Sequence, residues 1–249
     1  MIKNDECLDD LQNGLFIIQK QNGFKFGIDA VLLADFAKEA QSENTLDLCT
    51  GTGIVPILLS AKTKTQNIYG IEIQEEIAEM AHRSVQYNNL ENRVHITCGD
   101  LKNADEIYGK SRFDKITCNP PYMKHGAGLQ NNIGTKSLSR HEVLCTLDDV
   151  IKTSSELLIP NGRFFMIHRP LRLADIMCTM RRYKIEPKKL RFIHPSPEKA
   201  PNLLLVEGMK NGGEELKILP PLYVYDSNGK YSEEINRIYG RNTKKEEHI

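Results

Sequence analysis

The stretch Leu46–Val55, LDLCTGTGIV, decides how the rest of the chain is read. A short apolar run reaches two glycines, Gly51 and Gly53, and then resumes as an amphipathic pattern. Glycine lets a backbone turn tightly between a strand and a helix and lets a ligand come close to it. Working outward, NTLDLCTG, NIYGIEIQ, RVHITCGD, RFDKITCNP and GRFFMIHR read as strands, with KKLRFIHP and NLLLVEGMK as two closing strands. Between them GIVPILLSAKT, EEIAEMAHRSVQYNNL, EVLCTLDDVIKTSSELL and RLADIMCTMRRY carry helical spacing. This alternation predicts an α/β, Rossmann-like chain: a mostly parallel seven-stranded sheet with helices on both faces. A short N-terminal extension precedes it, where LFIIQKQNGFKFGIDAVLLADFA predicts an extended pair around Asn22-Gly23 and a helix from near Asp29. The expected layout is an extension over 1–40 packing on the ligand site, a core domain over 41–212 and a C-terminal extension over 213–249 with a charged, frayed tail.

Composition narrows the class. Hydrophobic residues at 40% and charged residues at 27% suit a globular protein. No run approaches the roughly 20 apolar residues that span a bilayer. The acidic start MIKNDECLDD lacks the apolar segment of a secretory signal, so the expected location is cytoplasmic, with no membrane partner. The six cysteines form no CxxC and the histidines no zinc-type spacing, so reduced thiols and no metal are expected. Net charge is zero, yet residues 163–199 hold ten Lys or Arg against Asp175, Glu186 and Glu198. That excess has two readings, a solvated face or a surface for an anionic backbone such as RNA, with Arg181 and Arg182 as contacts.

Three acids qualify the glycine loop. A dinucleotide fingerprint wants a third glycine where this chain has Pro56. Asp47, four residues before Gly51, can meet an ammonium group but would repel a pyrophosphate. Glu72, 21 residues after Gly51, ends the next strand, where an acid accepts ribose hydroxyls. Asp100 follows the third strand and can accept from an adenine amino group. A ligand carrying an ammonium, a ribose and an adenine fits S-adenosylmethionine better than NAD.

The fourth strand ends in DKITCNPPYM, Asp114–Met123. Taken with DLCTGTG, GIEI and GDL in that order, this chain resembles the class I S-adenosylmethionine-dependent methyltransferases. In them NPPY accompanies transfer to a planar nitrogen: adenine N6, guanine N2, cytosine N4 or a glutamine amide. The resemblance implies a catalytic clamp of Asn119, Pro120, Pro121 and Tyr122. The Asn119 side-chain oxygen and the Pro120 carbonyl would accept both N–H bonds of an exocyclic amine, and Tyr122 would stack on the base. It implies a cofactor site of Phe26, Asp29, Asp47, Cys49, Gly51, Gly53, Glu72, Ile73, Asp100, Leu101 and Asn119.

FKFGIDAVLLADF, SRHE, HRPLRLADI and FIHPSPEKAPNLLLVEGMKNG extend the likeness. They resemble the bacterial valine tRNA adenine-N6-methyltransferases, which implies a tRNA substrate modified beside the anticodon. The glycine-bearing basic segment KHGAGLQNNIGTKSLSR then suits RNA through Lys124, Lys136 and Arg140, and is expected to order only with RNA. Guanine N2 of ribosomal RNA, a protein glutamine, and a non-catalytic RNA-binding protein that kept the cofactor pocket are the alternatives.

Overall fold

The computed structural model describes residues 2–12, 14–22, 26–121 and 145–241. Among these residues nine strands form the main sheet, in the order β10-β8-β9-β7-β6-β3-β4-β5, with β11 also paired to β8. The central strands are β3 (Asn44–Leu48), β4 (Asn67–Glu72), β5 (Val94–Cys98), β6 (Phe113–Cys118) and β7 (Leu158–His168). They pair parallel throughout. β9 (Leu203–Lys210) runs antiparallel between β7 and β8 (Ile185–His194). The seven strands expected from the sequence are all present. The two extra ones, β10 (Lys217–Ile218) and β11 (Leu222–Tyr223), are two-residue pairings of the C-terminal extension along β8, too short to leave a periodic signal.

Both faces of the sheet are covered, which is why its inner strands read as nearly continuous apolar runs. On one face lie α1 (Ile28–Ala37), α2 (Ile54–Lys62), α3 (Glu75–Tyr87) and α7 (Glu233–Ile238), packed with Ile68, Ile96, Phe165 and Ile167. On the other lie α4 (Ala104–Tyr108), α5 (Leu147–Leu157) and α6 (Leu173–Arg182), packed with Leu46, Leu48, Ile116, Phe164 and Met166. Alternate residues of one strand thus serve opposite cores, Phe164 one and Phe165 the other. Thr146 starts α5 with a capping box closed by Asp149. No helix among the described residues is long and apolar enough to cross a membrane.

The N-terminal segment corrects the sequence reading. Its hairpin is β1 (Glu6–Gln12) against β2 (Leu15–Lys20), turning at Gly14 (φ 76°) and not around Asn22-Gly23. Asn-Gly pairs stand at both 13–14 and 22–23, and it is the first that lies between the two paired strands, while Gly23 lies outside the described residues. β2 does not stand as a bare edge. The Phe16 N–H donates to Asn88 Oδ1 at 2.8 Å and the Ile18 N–H to Ser84 Oγ at 3.0 Å, both on or just after α3. Arg83 of α3 grips the buried Glu6 carboxylate with two bonds of 2.7 Å.

That ion pair generates a prediction. The Arg83 guanidinium holds the Glu6 carboxyl below its ordinary value. A carboxylate with a depressed folded pKa stabilises above its unfolded pKa and loses that contribution as pH falls through the folded value. Glu6→Gln is expected to cost about 1–3 kcal/mol at pH 7, because Arg83 keeps Glu79 as a second partner. The deficit should shrink on acidification below about pH 4, as measured by urea unfolding at several pH values.

Candidate active site

The chain leaves β3, builds β4 and β5 to one side, then crosses back to lay β6 on the other side of β3. Loops at the carboxyl ends of β3 and β6 therefore diverge, the place where open α/β sheets bind ligands. Cys49, Glu72, Asp100 and Asn119 follow or end four neighbouring strands at this end.

The glycine loop is held in a left-handed path, with φ of 57° at Cys49, 56° at Gly51 and 84° at Gly53. A Cβ on Gly53 would stand 3.3 Å from Ala81 Cβ, so this glycine lets α3 close on the loop. A Cβ on Gly51 would meet nothing within 4 Å, so that turn faces open space. Thr50 N–H donates to Ile71 O at 3.0 Å, and Gly51 N–H to Glu72 Oε2 at 2.9 Å. Glu72 is buried, and its other oxygen accepts from the Gln74 backbone N–H at 3.1 Å and the Gln74 amide at 3.0 Å. A carboxylate offers about four acceptor positions, so one remains open and the side-chain amide is a displaceable occupant of another. Ile73 beside it is 36% exposed, an apolar surface at the mouth of the site.

Asp100 caps the short turn Leu101–Asn103, accepting from Lys102 N–H at 2.9 Å and pairing with Lys102 Nζ at 3.3 Å. Leu101 is buried, and its carbonyl accepts from Thr153 Oγ1. Phe26 packs on the core with its N–H on Gln19 Oε1, and Asp29 opens α1 with its carboxylate on the Ala30 N–H.

Asp47 lies deeper than the sequence implied, beneath the glycine loop and 1% exposed. It sits opposite Gly70 on β4 and Thr117 on β6, and Thr117 Oγ1 donates to it at 2.6 Å. Burial pushes its carboxyl up to about 7, opposed by the Thr117 hydroxyl and reinforced by the Glu72 charge. The Thr50 hydroxyl also lowers it from nearby, though it makes no hydrogen bond of good geometry and is left buried without a partner among the described residues. Asp47 and Thr50 together form a polar floor that a positively charged or hydrogen-bonding group could complete, so the residues fit an ammonium-bearing ligand.

Asn119, half-buried, and the buried Pro120 follow β6 directly, with Pro121 half-buried after them. The pairing of Leu48 with Cys118 brings Asn119 level with Cys49. Three thiols line the seam: Cys49 Sγ lies 3.8 Å from Cys145 Sγ, and Cys118 is their buried neighbour. The Cys118 thiol beside Cys49, and burial around Cys118, keep both well protonated. Tyr122, Lys124, Lys136 and Arg140, with the whole segment expected to order on RNA, lie outside the described residues.

Arg181 and Arg182 stand apart from the other expected site residues. They end α6 just before β8 begins, and β8 runs in the same direction as β6, so they stand at the opposite end of the sheet from Asn119. Arg181 bonds Glu186 at 2.6 Å and Arg182 bonds Asp148 at 2.9 Å. Much of the basic excess in 163–199 is likewise matched by acids, some from outside the segment: Arg163 and Lys189 share Glu207, and Arg191 holds Glu234. A linear charge count cannot see those partners. Sequence reasoning also missed Thr117 and Gln74. Thr117 left a signal, a hydroxyl in the buried run DKITC. A cavity of about 230 Å³ between α3 and β5, lined by His82, Glu91 and His95 among others, includes none of the expected site residues.

The depth of Asp47 gives a pH prediction. Its unfolded pKa is near 3.9 and its folded value about 7. The folded state therefore binds more protons in that window, and stability falls as pH rises through it. Asp47→Asn has no charge to bury, so it should be more stable than the parent by about 1–3 kcal/mol at pH 8. The difference should close toward pH 4, as followed by thermal unfolding across pH.

A model of the methyltransferase small domain matches residues 24–182. A Porphyromonas gingivalis protein named tRNA1(Val) (adenine(37)-N6)-methyltransferase is 29% identical over 222 residues, covering 86% of each chain. A Glaesserella parasuis protein of the same name is 32% identical over 154 residues, 61% of this chain and 62% of that one. Among solved structures, one described as a predicted O-methyltransferase from Agrobacterium tumefaciens superposes with a TM-score of 0.70 at 21% identity, over 86% of this chain and 96% of the other. That likeness concerns the fold alone. With a match over well more than half its length, and a glycine loop, strand-end acids and Asn-Pro-Pro turn gathered at one end of its sheet, the chain belongs to the methyltransferase small domain family.

Proposed function

We propose that this protein transfers a methyl group from S-adenosylmethionine to the exocyclic N6 of an adenine in tRNA, the adenine beside the anticodon of a valine tRNA. The observation that carries the reading is Asn119-Pro120-Pro121 at the end of β6, directly across the switch point from the glycine loop and Glu72. The substrate follows from the relatives, which bear the name of that activity over most of this chain's length.

S-adenosylmethionine bound here would supply an activated methyl on a sulfonium. The chain's residues would do the rest. Glu72 would accept ribose hydroxyls, one of them in place of the Gln74 amide. Ile73 and Leu101 would flank the adenine, with Asp100 accepting its amino group. Gly51, Gly53 and Cys49 would keep backbone close to the ligand, and Asp47 would answer its ammonium from below. Phe26 and Asp29, in the extension over 1–40, would close the near side of the core domain 41–212.

The target amine has its lone pair delocalised into the ring. The Asn119 side-chain oxygen and the Pro120 carbonyl would accept its two N–H bonds and favour a pyramidal nitrogen facing the methyl. This is orientation and charge stabilisation rather than strong-base catalysis. The prolines stiffen the turn that aims these oxygens. Tyr122 would stack on the extruded base, and Lys124, Lys136 and Arg140 would meet the RNA backbone.

Incubation with isotopically labelled donor and unmodified tRNA, followed by digestion and mass spectrometry, should return N6-methyladenosine. Label in N2-methylguanosine, or none in RNA, would refute the assignment. Asn119→Ala should retain donor affinity within a few-fold and lose about 100-fold or more in single-turnover rate. A near-parental rate with saturating tRNA would remove the clamp from the mechanism. Arg181→Ala with Arg182→Ala should leave tRNA affinity and its salt dependence unchanged, as filter binding at several salt concentrations can show.

A further inference from the structure

The C-terminal extension carries a feature that neither the core nor the methyl-transfer site explains. Tyr225 and Tyr231 stack with ring centroids 5.1 Å apart and planes 11° from parallel. Tyr231 and Tyr239 continue the stack at 6.2 Å and 22°. The Arg241 guanidinium lies over both Tyr231 and Tyr239, 5.3 and 4.9 Å from the ring centres. Tyr239 packs against the core, but Tyr225 and Tyr231 are 40% and 36% exposed. The two exposed rings leave flat aromatic faces open to solvent at a fixed spacing.

The arrangement is rigid. Tyr225 and Tyr231 face each other across a single antiparallel bridge. The turn between them is closed by Asp226, whose N–H donates to Lys230 O and whose carboxylate accepts from the Asn228 and Lys230 N–H groups. Tyr225 N–H donates to Pro195 O at 2.9 Å, which fixes the turn to the end of β8.

The location is specific. β11 runs parallel to β8, which runs the same way as β6, so Tyr225 emerges at the same end of the sheet as Asn119. β11 lies beyond β8 and so stands four places from β6, about 19 Å away, a span of a few nucleotides. Tyr239 follows α7, which packs against α1, and its ring rests on the core cluster that includes α1.

We infer that the Tyr225–Tyr231–Tyr239–Arg241 ladder is a stacking platform for unpaired bases of the RNA substrate, flanking the target adenine. The inference rests on the proposed tRNA reading. Flat aromatic faces with an arginine plane among them are what single-stranded RNA uses, since every base has a π-face to stack. Stacking on these rings would engage base faces and not the backbone.

The test uses the full chain and a synthetic anticodon-type stem-loop RNA with an unpaired loop, beside a blunt duplex of equal length. Tyr225→Ala and Tyr231→Ala should each weaken stem-loop binding by about ten-fold. Tyr225→Phe, which keeps the ring, should bind as the parent does. Duplex binding, the salt slope and donor affinity should not move. Parental stem-loop affinity in folded Ala variants would overturn the inference. A second measurement needs no variant: with 5-iodouridine in the loop, photocrosslinks should map to Tyr225 or Tyr231, and crosslinks found only elsewhere would overturn it. Should the parent protein bind donor but no tRNA or stem-loop RNA, the tRNA reading falls and the platform with it. Loop binding that ignores the tyrosines removes the platform alone.

Discussion

The hydrogen bond from Thr117 to Asp47 joins the two halves of this site. The sheet winds away from β3 in both directions, and that divergence opens the space where a ligand can enter. The same divergence leaves the ends of β3 and β6 without a connecting element above the last paired residues. Backbone pairing from Thr45–Lys115 to Leu48–Cys118 holds them in register, and one 2.6 Å side-chain bond in the buried layer ties them just below the loops. On one side of it stand the glycine loop and Glu72, and on the other Asn119 and the two prolines. If the two strands slipped, the donor and the amine would no longer share one geometry.

The site has a consistent electrostatic character. Asp47 and Glu72 are both buried and near enough for Glu72 to raise the Asp47 carboxyl. Glu72 is satisfied by neutral N–H donors and not by a counter-ion. Neutral, protonated thiols line the seam between the loops. Among the described residues such a pocket holds negative charge without a cation paired to it, and so favours a ligand that brings its own positive charge. S-adenosylmethionine carries two, the ammonium and the sulfonium. Burying the Asp47 carboxylate reduces stability in the free protein, and a cationic ligand relieves that cost on binding.

The order of strands and helices was legible because both carry strong periodic signals, and the strand-end acids were legible because each sits where a strand must stop. Other features depended on partners distant in sequence. The hairpin at Gly14 could not be told from Asn22-Gly23 until β1 was paired. The acidic partner of Arg182, Asp148, lies 34 residues away and is invisible to a local charge count. Asp47 read as a ligand contact, yet it lies buried between β4 and β6 and its hydrogen-bond partner Thr117 is 70 residues away. The tyrosine ladder is scattered over 225–239 with no regular spacing and emerges only when the final turn and α7 fold back on α1.

The claim that most else rests on is that Glu72 recognises a ribose at the end of β4. Calorimetric titration of the intact protein with S-adenosylhomocysteine and with its 2′,3′-dideoxy analogue tests it without altering a residue. The account predicts that losing both hydroxyls weakens binding by roughly ten-fold or more, since hydrogen bonds to a buried carboxylate are charge-assisted. Equal affinity for the two ligands would contradict it.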